Sequence, residues 1–331
     1  MKKKFKQYRT TEFYLLAFLV AILVFLFFAA RGFYTMNNIM SVLNYFSYIS
    51  IAGIGMNMII ITGNIDVSTG ALISVVCICI AALGKIGIPL WGFLVVAMLV
   101  GAFLSMLNGL FITRLKIPAI VATLATTQIF QGALPLVVDG SIYDLPASYT
   151  WLAFEGKIFG VVPASVLFAV IIAAWALWFM KYSRFSKKIY AIGNSKESAR
   201  LSGIRVDKTI VITYILAGLL FGVAAVIIGT AGQRVTTTMG SGLEMTFIAA
   251  VVLGGTSTDG GSGKILGSII GAFILAIIAP AINYLGISPN WSDAVKGIII
   301  LVSVVVSAAK YIKKKRIIPD HSTTKLGGEA V

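Results

Sequence analysis

The sequence predicts an all-α polytopic membrane protein of about ten transmembrane helices. Three observations carry that prediction: a high apolar content, span-length apolar runs in close succession, and charges confined to the gaps and tails. Of 331 residues, 58% are hydrophobic and only 12% charged, with a mean hydropathy of +0.96; an ordinary soluble domain carries roughly 25% charged residues. A bilayer core about 30 Å thick is crossed by roughly 20 apolar residues of helix, and this chain offers such runs one after another.

Taken in order, the first run, 13–30, follows Lys2, Lys3, Lys4, Lys6 and Arg9. A basic start before an apolar stretch is also how a signal peptide begins, but the run is long and many spans follow, so a retained helix is expected. Runs at 40–62, 71–88, 90–112 and 118–138 complete a first set, each bounded by charge, Gly, Pro or Asn. A second set lies at 158–180, 209–229, 243–257, 264–285 and 293–310, the eighth run being short. Residues 1–12 then form an N-terminal cytoplasmic segment, 13–310 the transmembrane domain with a cytoplasmic loop at 181–208, and 311–331 a cytoplasmic tail.

Lys and Arg test this assignment, because short cytoplasmic loops carry the excess. One side holds five in 1–9, two in 113–117, eight in 181–208, Lys264, and six in 310–325. The other holds Arg31, Lys85, Lys157 and Arg234, while Lys296 falls inside the last run. Both termini are therefore expected in the cytoplasm and the loop 139–157, with Asp139, Asp144 and Glu155, outside. The net charge of +15 serves orientation and not nucleic acid.

Two segments, GAFLSMLNGLFITRLKIP from Gly101 and GAFILAIIAPAINYLGISP from Gly271, run from Gly-Ala-Phe to Pro through similar lengths. They lie five spans apart and so in opposite orientation, as an inverted repeat of two five-helix halves requires; chance similarity among Leu, Ile, Gly and Ala is the alternative.

Few polar groups remain in the apolar runs, and polar groups at membrane depth are functional candidates by default. The stretch TGNIDVSTG, 62–70, breaks two runs with Asn64, Asp66, Ser68 and Thr69 between glycines. It reads either as a turn beside the pathway or an ATPase contact, or as a plain cap in which Asp66 starts the third helix. Asn57, Asn108, Gln128, Gln131, Asn283 and Asn290 are neutral amides suited to sugar hydroxyls, or equally to bonds between helices. Asp66, Glu244, Asp259 and Asp293 all fall near run ends, which disfavours a proton relay. The one histidine, His321, is in the tail, so no histidine-based metal or acid–base site is expected in the membrane. Cys77 and Cys79, two apart, match neither a zinc site nor a redox pair. LGGTSTDGGSGK, 253–264, lacks a P-loop: Thr258 stands where Gly is needed and Ile265 where Ser or Thr is. In the long loop, Ser195 is a candidate N-cap and Gly203 a stop, predicting a short helix between them whose Ala199, Leu201 and Ile204 give it an apolar face.

NIDVSTG at 64–70, LKIPAIVATLAT at 115–126, IGNSKESARLSGIRV at 192–206, VVLGGTSTDGGSGKILGSIIGA at 251–272 and ISPNWSDAVKGIIIL at 287–301 together resemble, in order and spacing, the ribose-type ABC importer permeases. GSGLEM at 240–245 with LKIPAIVATL looks most like the autoinducer-2 import permeases. The resemblance implies a non-enzymatic transport subunit of the cytoplasmic membrane, without a cofactor of its own. Its partners would be two cytoplasmic ATPase subunits, a second permease chain, identical or related, and an extracytoplasmic solute-binding protein. It further implies that 192–206 docks on the ATPase, with Gly193, Ser195, Ala199, Leu201, Gly203 and Arg205 as coupling candidates. Asn57, Asn64, Asp66, Ser68, Asn108, Gln128, Gln131 and Asn283 are the pathway candidates. An ion-coupled secondary carrier of a small polar solute is the rival reading.

Overall fold

A computed structural model describes residues 2–84, 86–138, 143–144, 156–158, 162–231, 234–288, 290–299 and 301. Most of the expected outward loop at 139–157, the end of the tenth expected span and the C-terminal tail with His321 lie outside the described residues.

Helices occupy the expected runs. The first five are α1 (Lys2–Ala29), α2 (Met36–Ile61), α3 (Thr69–Gly84), α4 (Leu90–Arg114) and α5 (Ala119–Val138). Three two-residue strands follow, β1 (Tyr143–Asp144), β2 (Lys157–Ile158) and β3 (Val162–Pro163), and then α6 (Ala164–Tyr182). Two short helices, α7 (Arg184–Asn194) and α8 (Lys196–Leu201), fill the long basic loop. The remainder is α9 (Val206–Ala231), β4 (Arg234–Val235), α10 (Leu243–Leu253), α11 (Ile265–Tyr284) and a helical stretch at 291–299. β1 pairs antiparallel with β4 and β2 with β3, small additions to the all-α expectation.

Seven of these helices are long and apolar enough to cross a bilayer, which makes this a multi-pass membrane protein. α3 and α10, at 16 and 11 residues, are shorter than the runs expected there. At 1.5 Å per residue α10 reaches only about 16 Å, roughly half a bilayer core. The chain before each is irregular, and their starts meet: the Gly240 N–H donates to Ser74 Oγ at 2.9 Å, and Gly70 lies so close to Gly240 and Glu244 that neither glycine has room for a Cβ. Protein covers the irregular stretch before α3, since Asp66, Ser68 and Thr69 are fully buried, which is the condition under which irregular backbone is tolerated in a membrane protein.

α2 and α9 form the centre. Both are buried over most of their circumference, as a helix with apolar residues all round must be, and they pack against each other. α4 lies along α9, where Gly101 and Gly218 face each other and Gly222 meets Ala97, so the two backbones touch. In a bilayer, association depends on such small-residue contacts. α11 and α6 cover α2, α3 and α10 fill the flanks, and α5 rests on α3 and α4. α1 is peripheral. It meets α11 through Leu15 and Leu26, while Phe13, Phe25, Phe27 and Phe28 point outward toward lipid.

Candidate functional site

One end of the bundle carries α7 and α8, and each begins at a serine cap. Ser183 Oγ accepts from the Phe185 N–H at 2.9 Å, and Ser195 Oγ from the Ser198 N–H at 3.2 Å, satisfying first-turn donors that have no partner inside the helix. Gly203 ends α8 at φ +78°, where the Gly203 N–H donates to Arg200 O and the Ile204 N–H to Ala199 O. This left-handed stop is open to glycine without strain. The expected helix and both of its ends are thus present. α7 was not expected, although Ser183 before an amphipathic RFSKKIYAIGN was its signal: Ser186, Ile189 and Ile192 are buried, while Arg184, Lys187 and Lys188 face out.

α7 is seated on the bundle and not merely tethered to it. Gly193 packs directly on the Ile61 carbonyl at the end of α2 and on the Gly261 backbone, leaving no space for a Cβ. The Gly261 N–H also donates to Ile61 O at 2.8 Å, and Tyr190 Oη donates to Gly263 O at 2.8 Å. The glycine-rich 253–264 stretch is therefore the socket in which α7 rests. Of the coupling candidates, Gly193 and Ala199 are interior packing positions, Leu201 stands 83% exposed, and Ser195, Gly203 and Arg205 shape and flank α8. A cavity of about 350 Å³ opens beside it, lined among others by Asn64, Lys116, Lys196, Arg200 and Asp207.

The pathway candidates separate into two environments. Asp66, Ser68 and Asn108 form one sealed cluster. Asp66 Oδ1 accepts from the Ser68 N–H at 2.9 Å and from Ser68 Oγ at 2.6 Å, and Asn108 Nδ2 donates to Ser68 Oγ at 2.7 Å. Ser68, not the expected Asp66, stands at the N-cap position of α3, its O accepting from the Leu72 N–H, while Asp66 braces the turn before it and Asn108 ties that turn to α4; all three side chains are inaccessible. Asn64 Nδ2 donates to Thr62 Oγ1 within the same turn, and Thr123 of α5 donates to Ile65 O at its edge. Asn57 belongs to a second sealed set, its Nδ2 donating to Thr256 Oγ1 and to Ser268 Oγ, both at 2.7 Å. These bonds join α2 to the start of α11 and to the socket. Thr256 and Ser268 were not among the candidates, and hydroxyls in apolar helices carry little sequence signal of which amide they will meet.

Gln128, Gln131 and Asn283 lie instead on the outside of this chain. The two glutamines share the face of α5 turned away from α3 and α4, beside Leu124 and Gly132.

A family model described as branched-chain amino acid transport system, permease component, matches residues 38–304. The chain is 32% identical over 301 residues to the ribose import permease protein of Escherichia coli (strain K12), an alignment covering 88% of this chain and 93% of that protein. It is 34% identical over 277 residues to the ribose import permease protein of Bacillus subtilis (strain 168), covering 82% and 85%. To the autoinducer 2 import system permease protein of Yersinia pestis (strain Pestoides F) it is 29% identical over 302 residues, covering 91% and 86%.

Proposed function

This chain belongs to the family of permease components of branched-chain amino acid transport systems, and we propose that it is the membrane subunit of an ATP-driven importer that carries a small sugar-like solute across the cytoplasmic membrane. The observation that carries this reading is the α7–α8 end. The short capped helix α8, with its exposed Leu201, packs on α7, and α7 is held against the end of α2 and the 253–264 socket by backbone contacts, so a push on α8 is passed through α7 to the helices around it. No P-loop pattern occurs in the sequence, and in this reading energy enters through a separate ATPase pair docked on α8 at the exposed Leu201, with Ser195, Gly203 and Arg205 shaping and flanking that helix and Gly193 and Ala199 seating the segment from within.

The ten-span, inverted-repeat architecture with cytoplasmic termini draws support from register. α9 begins and ends 170 residues after α2, the same offset that relates Gly101 to Gly271. Packing follows the same exchange. α4 lies on α9 as α11 lies on α2, α3 on α9 as α10 on α2, and α3 on α4 as α10 on α11. In this architecture the irregular segments before α3 and α10 are equivalent re-entrant pieces, and ATP-driven rocking of one half against the other alternates access.

The pathway is proposed at the junction with a second permease chain, where the outward amides Gln128, Gln131 and Asn283 meet solute hydroxyls as donors and acceptors. Relatives named for ribose and for autoinducer 2, at 32–34% and 29% identity, do not separate the two solutes. The test is uptake by proteoliposomes holding this chain with its ATPase and binding protein, offered ribose, rhamnose or autoinducer 2. Saturable uptake that stops when the ATPase is inactivated supports the importer. Uptake that continues without ATP hydrolysis and collapses with a protonophore supports the ion-coupled carrier instead.

A further inference from the structure

A second cavity, of about 260 Å³, lies between α7 and the first turns of α9. Three cations line it, Lys188 from α7, Arg205 from the turn before α9 and Lys208 from α9, and its remaining walls include Phe185, Thr209 and Ile212. Among the described residues no carboxylate is part of its lining and no ion pair involves these three cations. The neighbouring cavity differs: there Asp207 stands 3.5 Å from Arg200 and answers the positive charge.

Position says what the cations face. α6 ends in a sequence of interfacial type: Trp178 and Tyr182 are each 61% exposed, and Lys181 Nζ lies 4.9 Å from the centre of the Tyr182 ring. Aromatic rings and lysine at a helix end mark the headgroup level of a bilayer. α7 starts at that level, since the Phe185 ring lies 6.2 Å from Phe179 of α6. The cavity therefore begins where α6 leaves the bilayer and reaches Ile212, almost two turns into the apolar helix α9. The positive-inside rule accounts for basic residues in this loop, but not for three of them converging without an acid on one cavity that has apolar walls.

We propose that this cavity seats the phosphate of an anionic phospholipid headgroup, with Lys188, Arg205 and Lys208 around the phosphate and the acyl chains leaving past Phe185 and Ile212. Electrostatic attraction of about fivefold in affinity per cation follows from the usual worth of a basic residue at an anionic membrane surface.

The experiment is native mass spectrometry of the full chain released from nanodiscs of phosphatidylcholine with a minor share of phosphatidylglycerol, counting retained phosphatidylglycerol. Wild type is expected to hold it selectively. Lys188→Gln combined with Lys208→Gln is expected to weaken retention roughly 25-fold on the same per-cation figure, while Lys188→Arg with Lys208→Arg restores it and shows that the loss is not unfolding. Arg184→Gln with Lys187→Gln removes the same charge from α7 outside the cavity and is expected to change retention less than twofold. Equal loss in both glutamine pairs would reduce the effect to generic surface charge and overturn the site. Displacement of the lipid by millimolar inorganic phosphate or glycerol 3-phosphate would assign the cavity to a free phosphate ligand, also against the proposal. Unchanged lipid retention, with the ATPase released from the Lys188/Lys208 glutamine variant in phosphatidylcholine discs, would mean that the cavity receives an acidic protein surface instead.

Discussion

Two regions of this molecule treat amide side chains oppositely. Around Asp66 and Asn57 the amides of Asn108 and Asn57 are enclosed and bonded to hydroxyls on other elements, Asn108 to Ser68 and Asn57 to Thr256 and Ser268. On α5, Gln128 and Gln131 stand outside the fold of the single chain. An amide inside a bundle is worth its bonds between helices, whereas an amide turned to hydrocarbon pays for its desolvation with nothing in return. Amides on an outer face of a membrane protein therefore point to something other than lipid, either a second chain or a watery path. Within one sequence, the same residue type is a brace in one place and a contact in the other.

The sharpest way to break that comparison is Asp66→Ala. Removing the carboxylate leaves the Ser68 N–H and hydroxyl without their acceptor in a sealed site, and a loss of about 2–4 kcal/mol is expected, read as a lower thermal midpoint and folded yield in detergent. Asp66→Asn keeps an acceptor oxygen while removing a buried charge, one of whose oxygens has no partner among the described residues, and should cost less than the alanine. If Asp66→Ala leaves the midpoint unchanged but abolishes uptake, the sealed turn is a pathway element and the distinction fails. Asn57→Ala should follow with about 1–3 kcal/mol, because Thr256 and Ser268 lose their shared donor and the socket loosens; limited proteolysis near 253–264 would report it.

Gln128→Leu with Gln131→Leu sharpens the other side. Stability should move by less than about 0.5 kcal/mol, while uptake by the assembled importer falls several-fold; a stability loss as large as that of Asn57→Ala would place these amides among the braces. The smallest effect belongs to Glu12→Gln. Its 2.9 Å pair with Lys264, whose side chain is about half exposed, joins α1 to the socket region, and a pair at a wet surface contributes about 0.2–1 kcal/mol, so only a slight shift of thermal midpoint at low salt is expected.

Much of this was legible in advance because the bilayer imposes it. Helices stand at the apolar runs as far as the residues are described, and the Ser195 cap and the Gly203 stop were readable, since capping depends on a few adjacent residues; Asp66 was expected to cap α3, but the helix starts two residues later and Ser68 takes that place. α7 was missed because a basic loop after a span is already explained by orientation, which hid the amphipathic pattern within it. The eighth run looked like a short span, while α10 is a helix of 11 residues whose start lies against α3. Hydropathy cannot tell a helix that crosses from one that begins half-way, because both are equally apolar.

What the sequence by itself determined is the solvent: apolar runs and charge placement make this a multi-pass membrane protein, and five motifs in order resemble one importer family. What only the tertiary structure decided is which polar groups are spent inside. Asn57 and Gln128 are alike as letters; the difference is that Ser268 and Thr256 stand 2.7 Å from one of them, a distance set by how α2, α11 and the glycine-rich socket pack and by no property of either residue alone.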